Sequence, residues 1–189
     1  MILLLEQTET KDHVKQQTKD HDTRLQSLLK KLFDEPQNEG ATCLYVSCQE
    51  NQLACVEFLV AIKADLNRPT DRGFTPVEIA VLKGNEDIVE HLLQAGAAIK
   101  RAGEPAQKGA SRPRTTPLLL AAQQKSLNAV KLLLKANADP NEVSQKGCSP
   151  LIKACQKNCI DIAATLMDHG ALVDHAAADG ATSLQQPGL

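Results

Sequence analysis

Tryptophan is absent from this 189-residue chain, and its aromatic residues are limited to Phe33, Tyr45, Phe58 and Phe74. Four scattered rings cannot build the successive stacking platforms on which single-stranded nucleic acid is held. Charge of one sign is also lacking: 21 basic against 23 acidic residues leave a net charge of −2, which removes bulk attraction to nucleic acid. Long apolar runs are missing too. The opening run Ile2 to Leu5 is too short for a signal-peptide core and has no basic segment before it, and no stretch approaches the roughly 20 residues of a membrane span. These absences predict an intracellular protein without a membrane span, in the cytoplasm and with the nucleus as a second compartment.

The chemistry of sites is thin in the same way. Six cysteines are present, but none shows the close Cys-x-x-Cys spacing of a structural zinc site, and His13, His21, His91, His169 and His175 are scattered. No metal and no cofactor are expected. There is no glycine-rich phosphate cradle after a strand and no carboxylate pair in an apolar setting. Cys159 with His169, or Ser149 with His175, could be read as nucleophile and base, but each of these residues is accounted for by repeat register or by a loop. The sequence therefore predicts no enzyme.

What the chain does contain is a period. Thr42, Thr75, Ser149 and Thr182 share one local context at intervals of 33, 74 and 33 residues, and Thr116 divides the middle interval into 41 and 33. The pairs Ala64-Asp65, Ala97-Ala98, Ala138-Asp139 and Ala171-Leu172 step by 33, 41 and 33. Both markers place one eight-residue insertion in the same interval. Thr75, Thr116 and Ser149 each precede a proline, and a hydroxyl N-cap followed by proline at the first helical position is a good helix start. About ten residues later a second start follows. Ile88, Val89, Leu92 and Leu93, then Val130, Leu133 and Leu134, then Ile162, Leu166 and Met167, fall at helical spacing on one face. Gly96 and Gly170 supply C-terminal stops. Helix pairs this short cannot enclose their own apolar faces, so neighbours must stack into a solenoid. By register Cys48 and Cys155 take the small buried slot of Val81 and Ala122, and Cys55 takes that of Ile88. Cys43 stands at the proline position, and Cys148 and Cys159 fall at variable or loop positions. His91 and His169 lie near the ends of second helices, where an imidazolium would meet the helix dipole favourably.

The stretch Gly73-Phe-Thr-Pro-Val-Glu-Ile-Ala-Val-Leu-Lys-Gly84 and its continuation Asn85 to Ala97 resemble the ankyrin repeat, a β-turn followed by two antiparallel helices. The resemblance covers about residues 37 to 186. It implies an all-α ankyrin-repeat solenoid of helix-turn-helix units with β-turn tips. Four repeats are placed at about 37–69, 70–102, 111–143 and 144–176, with a truncated fifth from 177. It also implies a non-enzymatic interaction module, a scaffold or adaptor binding a partner protein on its concave face and turn tips. Carried across residue by residue, the contact positions are Asn38, Glu39, Gln49 and Glu50; Asp71, Arg72, Phe74, Leu82 and Lys83; Arg112, Thr115, Gln123 and Gln124; and Gln145, Lys146, Cys148, Gln156 and Lys157. That face is expected to run from acidic to basic, with Phe74 exposed as an apolar anchor. Asn67 and Asn141, in Ala-Asp-x-Asn turns eight residues after Leu59 and Leu133, resemble the setting of asparagine hydroxylation in the family and are candidate modification sites.

Departures from the pattern add expectations of their own. The histidine that ties neighbouring turns in the family is replaced by Tyr45, Glu78, Leu119 and Ile152, so lateral coupling is expected to be weaker. Residues 100–114 carry Lys100, Arg101, Lys108, Arg112 and Arg114 against Glu104 and read as a mobile basic loop. Residues 1–36 read as an N-terminal amphipathic helix, a cap or a weak coiled coil. Leu25, Leu28, Leu29, Leu32 and Phe33 form its apolar face and cover the end of repeat 1. The expected state is a monomer, with homo-oligomeric assembly through residues 1–33 as the alternative. From the shortened fifth repeat, a fragment or short splice form of a longer array is one expectation.

Overall fold

The structure is a computed structural model that describes residues 28, 33–36, 38–99, 115–144 and 147–173. The basic loop at 100–114, the truncated fifth repeat and most of the N-terminal segment lie outside the described residues. A 3₁₀ turn at Asn38–Gly40 leads into helix pairs α1 (Cys43–Gln49) with α2 (Leu53–Ala61), α3 (Pro76–Lys83) with α4 (Glu86–Gln94), α5 (Pro117–Gln124) with α6 (Leu127–Lys135), and α7 (Pro150–Gln156) with α8 (Ile160–Asp168). No strand occurs among the described residues. The fold is an all-α repeat solenoid.

Each first helix starts as its sequence requires. Thr42, Thr75, Thr116 and Ser149 are extended N-caps whose hydroxyls accept the backbone N–H three residues on, and proline opens α3, α5 and α7. At α3 the carboxylate of Glu78 returns the bond to the Thr75 N–H at 2.8 Å, completing a capping box. Each helix of these pairs is followed by a left-handed residue, glycine at Gly84, Gly96 and Gly170 but Asn51, Lys63, Lys125, Asn137 and Asn158 elsewhere. After each second helix the N–H of Ala64, Ala97, Ala138 or Ala171 bonds the carbonyl five residues back, in Leu59, Leu92, Leu133 or Leu166. This is the Schellman closure, which satisfies helix-end carbonyls.

The core runs as a stripe along the stack. First helices contribute Leu44, Cys48, Val77, Ala80, Val81, Leu118, Ala121, Ala122, Leu151, Ala154 and Cys155; second helices contribute Val56, Leu59, Ile88, Val89, Leu92, Ala129, Val130, Leu133, Ile162, Ala163 and Leu166. The alanines and cysteines at the first-helix interfaces let those helices approach closely. Three expectations fail at the ends of the stack. Cys55 is exposed although its counterpart Ile88 is fully buried. Met167 is 46% exposed although Leu134 is buried, and Leu28, placed on a covering apolar face, is 60% exposed. Cys55 and Met167 hold core register, but register assigns burial only where a neighbouring pair stands on that side.

Lateral hydrogen bonds between pairs are made by Asn85 and Glu86. Glu78 is only 4% exposed and faces its own cap. The Asn85 amide donates to the Cys48 carbonyl at 2.7 Å. Glu86 accepts from Ser126 at 2.7 Å and Asn128 at 2.9 Å, tying the second pair to the third across the insertion.

Candidate partner-binding surface

The tip loops are built around a hydroxyl residue. The Thr70 N–H donates to the Phe74 carbonyl, its Oγ1 accepts from the Phe74 N–H at 3.1 Å, and its carbonyl accepts from Gly73. Ser144 does the same with Cys148 and Gly147 in the fourth pair. Gly73 and Gly147 take φ values of 79° and 71°, a left-handed conformation that a β-carbon disfavours. Both hydroxyl residues are buried. They were missed in the sequence, although their separation of 74 residues repeats that of Thr75 and Ser149.

The first two tips touch. The Asp71 N–H donates to the Glu39 carbonyl at 2.9 Å, and a β-carbon on Gly40 would stand 2.5 Å from an Asp71 carboxylate oxygen. Arg72 pairs with Glu39 at 2.9 Å. Both side chains are largely exposed, so the pair contributes little stability. It does change the expected charge pattern, because the acid of the first tip and the base of the second neutralise each other. Phe74 also departs from expectation. It is half-buried rather than exposed, drawn in by its two backbone bonds to Thr70 immediately before the Thr75 cap.

The ends of the first helices form a column. Glu50, Lys83, Gln123, Gln124, Gln156 and Lys157 are exposed, Gln49 is half-buried with its amide on Glu50, and Lys153 donates to Gln156. Leu82 is partly buried against the core rather than offered outward. Thr115 is half-buried at the entry to α5. Asp71 and Arg72 are exposed, whereas the Asn38 side chain, Arg112, Gln145 and Lys146 lie outside the described residues.

Asn67 and Asn141 stand elsewhere, in the turns that follow second helices. Asn67 Oδ1 accepts from the Ala98 N–H at 2.7 Å, and Asn141 Oδ1 from the Leu172 N–H at 2.8 Å. Asn141 Nδ2 also donates to the Gly170 carbonyl. Each backbone N–H is held by the aspartate two residues earlier, Asp65 or Asp139. Both side chains therefore bridge consecutive pairs.

Reactive chemistry is muted among the described residues. Burial pushes the Cys48 thiol up to about 12 and raises that of Cys155, which keeps both protonated and poorly nucleophilic near neutral pH. Among the described residues no group of three or more His, Cys, Asp or Glu side chains could hold a metal ion, and no helix is long and apolar enough to cross a membrane.

Comparison with known proteins agrees with this geometry. The pattern described as ankyrin repeats (3 copies) matches residues 11–102 and 104–184. Neurogenic locus notch homolog protein 1 of Xenopus tropicalis is 29% identical over 143 residues, 76% of this chain and 5% of that protein. The B-cell lymphoma 3 protein homolog of Mus musculus is 29% identical over 136 residues, 70% of this chain and 29% of its own length. The nuclear factor NF-kappa-B p105 subunit of Mus musculus is 33% identical over 126 residues, 64% of this chain and 12% of that protein. The chain spans less than a third of the length of each of these relatives.

Proposed function

This chain belongs to the ankyrin-repeat family, and on that premise we propose that it is a non-enzymatic adaptor holding a partner protein along its first-helix column and turn tips. Ankyrin repeats mediate protein–protein interaction, and the family is typically non-catalytic. The observation that carries the finer reading is the column itself. Glu50, Lys83, Gln124 and Lys157 occupy one equivalent position in four successive pairs, and all are exposed. Beneath them the core is closed, Thr70 ties Gly73 and Phe74 in one tip, and Ser144 ties Gly147 and Cys148 in another. A surface carried on helices whose backbone is set before the partner arrives loses less conformational freedom on binding than an unfolded segment would.

The test uses affinity capture from cell extract, identification of the retained protein, and titration of that purified partner. Reversing Lys83 and Lys157 to Glu together is expected to weaken binding at least about tenfold, or about 1.4 kcal/mol. Reversing the exposed second-helix residues Glu90 and Lys131 should leave it unchanged. The opposite ranking would move the binding surface to the second helices and end this reading.

A further inference from the structure

Charge is divided between the first and second helices of the stack. In the second to fourth pairs, the first helices and their C-cap residues carry Lys83, Lys125, Lys153 and Lys157, and their one acid, Glu78, is buried on its own cap. The second helices carry the exposed acids Glu57, Asp87, Glu90, Asp161 and Asp168 against Lys131 and Lys135. The near-neutral total of −2 for the chain conceals this basic strip along the first-helix ends.

The strip starts at the second pair, because the counterpart of Lys83 in the first pair is Glu50. Lys83, Lys125 and Lys157 are exposed, one to each pair, while Lys153 is half-buried and donates to Gln156 Oε1 at 2.9 Å. First helices pack directly on their neighbours, so successive lysines rise from axes about 8–10 Å apart. That is close to the screening length of about 8 Å at 0.15 M salt, so one bound ligand meets the charges together. Beside the lysines stand amides. Gln123 and Gln156 are exposed at the position that Leu82 takes in the second pair, and Gln124 is the third pair's counterpart of Lys83 and Lys157. A carboxamide offers two donors and an acceptor, which suits a peptide backbone without internal hydrogen bonds. The polyproline II form is such a backbone. It advances about 3.1 Å per residue with three residues per turn, so every third side chain returns to one face after about 9 Å.

We propose that the partner segment held on this strip is an extended acidic peptide, with a carboxylate at every third residue facing Lys83, Lys125 and Lys157 and its backbone beside Gln123 and Gln156. The proposal rests on the adaptor reading and names the chemistry of its partner. Glu50 repels the same carboxylates, so the segment lies over the second to fourth pairs and stops short of the first. The acids of α4 and α8 keep it off the second helices.

The test uses the full chain and a twelve-residue peptide of four Glu-Pro-Pro units, followed by NMR titration of the backbone amides at about 0.1 M salt, where exposed charges beyond about 10 Å are screened. Shifts should fall at the ends of α3, α5 and α7, and about 1 M salt should abolish them. Lys83→Glu with Lys157→Glu should lower the affinity at least about tenfold, while Lys131→Glu with Lys135→Glu, the same charge change on α6, should leave it unchanged. A peptide of the same composition with its four glutamates in one block should bind more weakly, because it cannot reach all three lysines. Equal binding by the block peptide, or by the peptide with lysine in place of glutamate, would overturn the proposal. Shifts confined to residues 100–114 would overturn it by placing the acid-binding charge on the insertion, and an oligothymidylate of equal charge binding as tightly would overturn it in favour of a general polyanion. If a captured partner depends on Lys83 and Lys157 while the Glu-Pro-Pro peptide does not bind, the acidic chemistry falls and the adaptor reading stands.

Discussion

His91 stands in the column that holds Phe58 in the first pair and Leu132 in the third, and its Nε2 is buried without a hydrogen-bond partner. A buried polar atom left unpaired costs about 1–3 kcal/mol, so His91→Leu should raise stability by about 1 kcal/mol in urea denaturation. A decrease would show that the imidazole makes a contact the fold needs. Cys48 makes the complementary case. Its thiol is pushed up to about 12 from an ordinary 9.0 by burial. A folded value above the unfolded one contributes stability below pH 9, and this is lost as the pH rises toward 12. Each pH unit above 9 is worth about 1.4 kcal/mol. The stability gap between the wild type and Cys48→Ala should therefore narrow by about 2 kcal/mol between pH 8.5 and 10.5.

At the level of helices, the tie between α4 and α6 deserves the most direct measurement, because it crosses the interval that carries the insertion. Glu86 receives both Ser126 and Asn128, so a double-mutant cycle of Glu86→Ala with Ser126→Ala should show a coupling of about 1 kcal/mol between residues 40 apart. Independent effects would mark the contact as solvated surface. Helix starts were legible in the sequence because a cap is a local device: Thr75-Pro76, Thr116-Pro117 and Ser149-Pro150 contain everything the start needs. Helix ends were only half legible, since Lys125 and Asn137 adopt the left-handed turn that glycine would have announced. Cys55 and Met167 were misjudged for a different reason. Periodicity identifies equivalent positions, but burial depends on whether a neighbour stands beside them. Phe74 was placed outward because its neighbours are polar; the hydroxyl of Thr70 that draws this turn inward lies four residues away.

At the scale of the whole stack, the main contacts among the described helices run within pairs and between successive pairs, so local stability should follow the number of covered sides. Hydrogen exchange should find the slowest amides in α3 to α6, and faster ones in α8, whose outer side leaves Ile160 and Met167 exposed. Equal protection along the stack would mean that it opens only as one unit. The bridges from Asn67 to Ala98 and from Asn141 to Leu172 then acquire a mechanical meaning. Pulled by its two ends, such a chain is loaded bond by bond, and each bridge guards one pair rather than the whole. Extension in a force spectrometer should release the stack stepwise. Units of 33 residues lengthen the tether by about 110–120 Å, and the interval of 41 by about 135–150 Å. The insertion would thus appear as one long step among shorter ones, and the array would yield like a spring with graded catches.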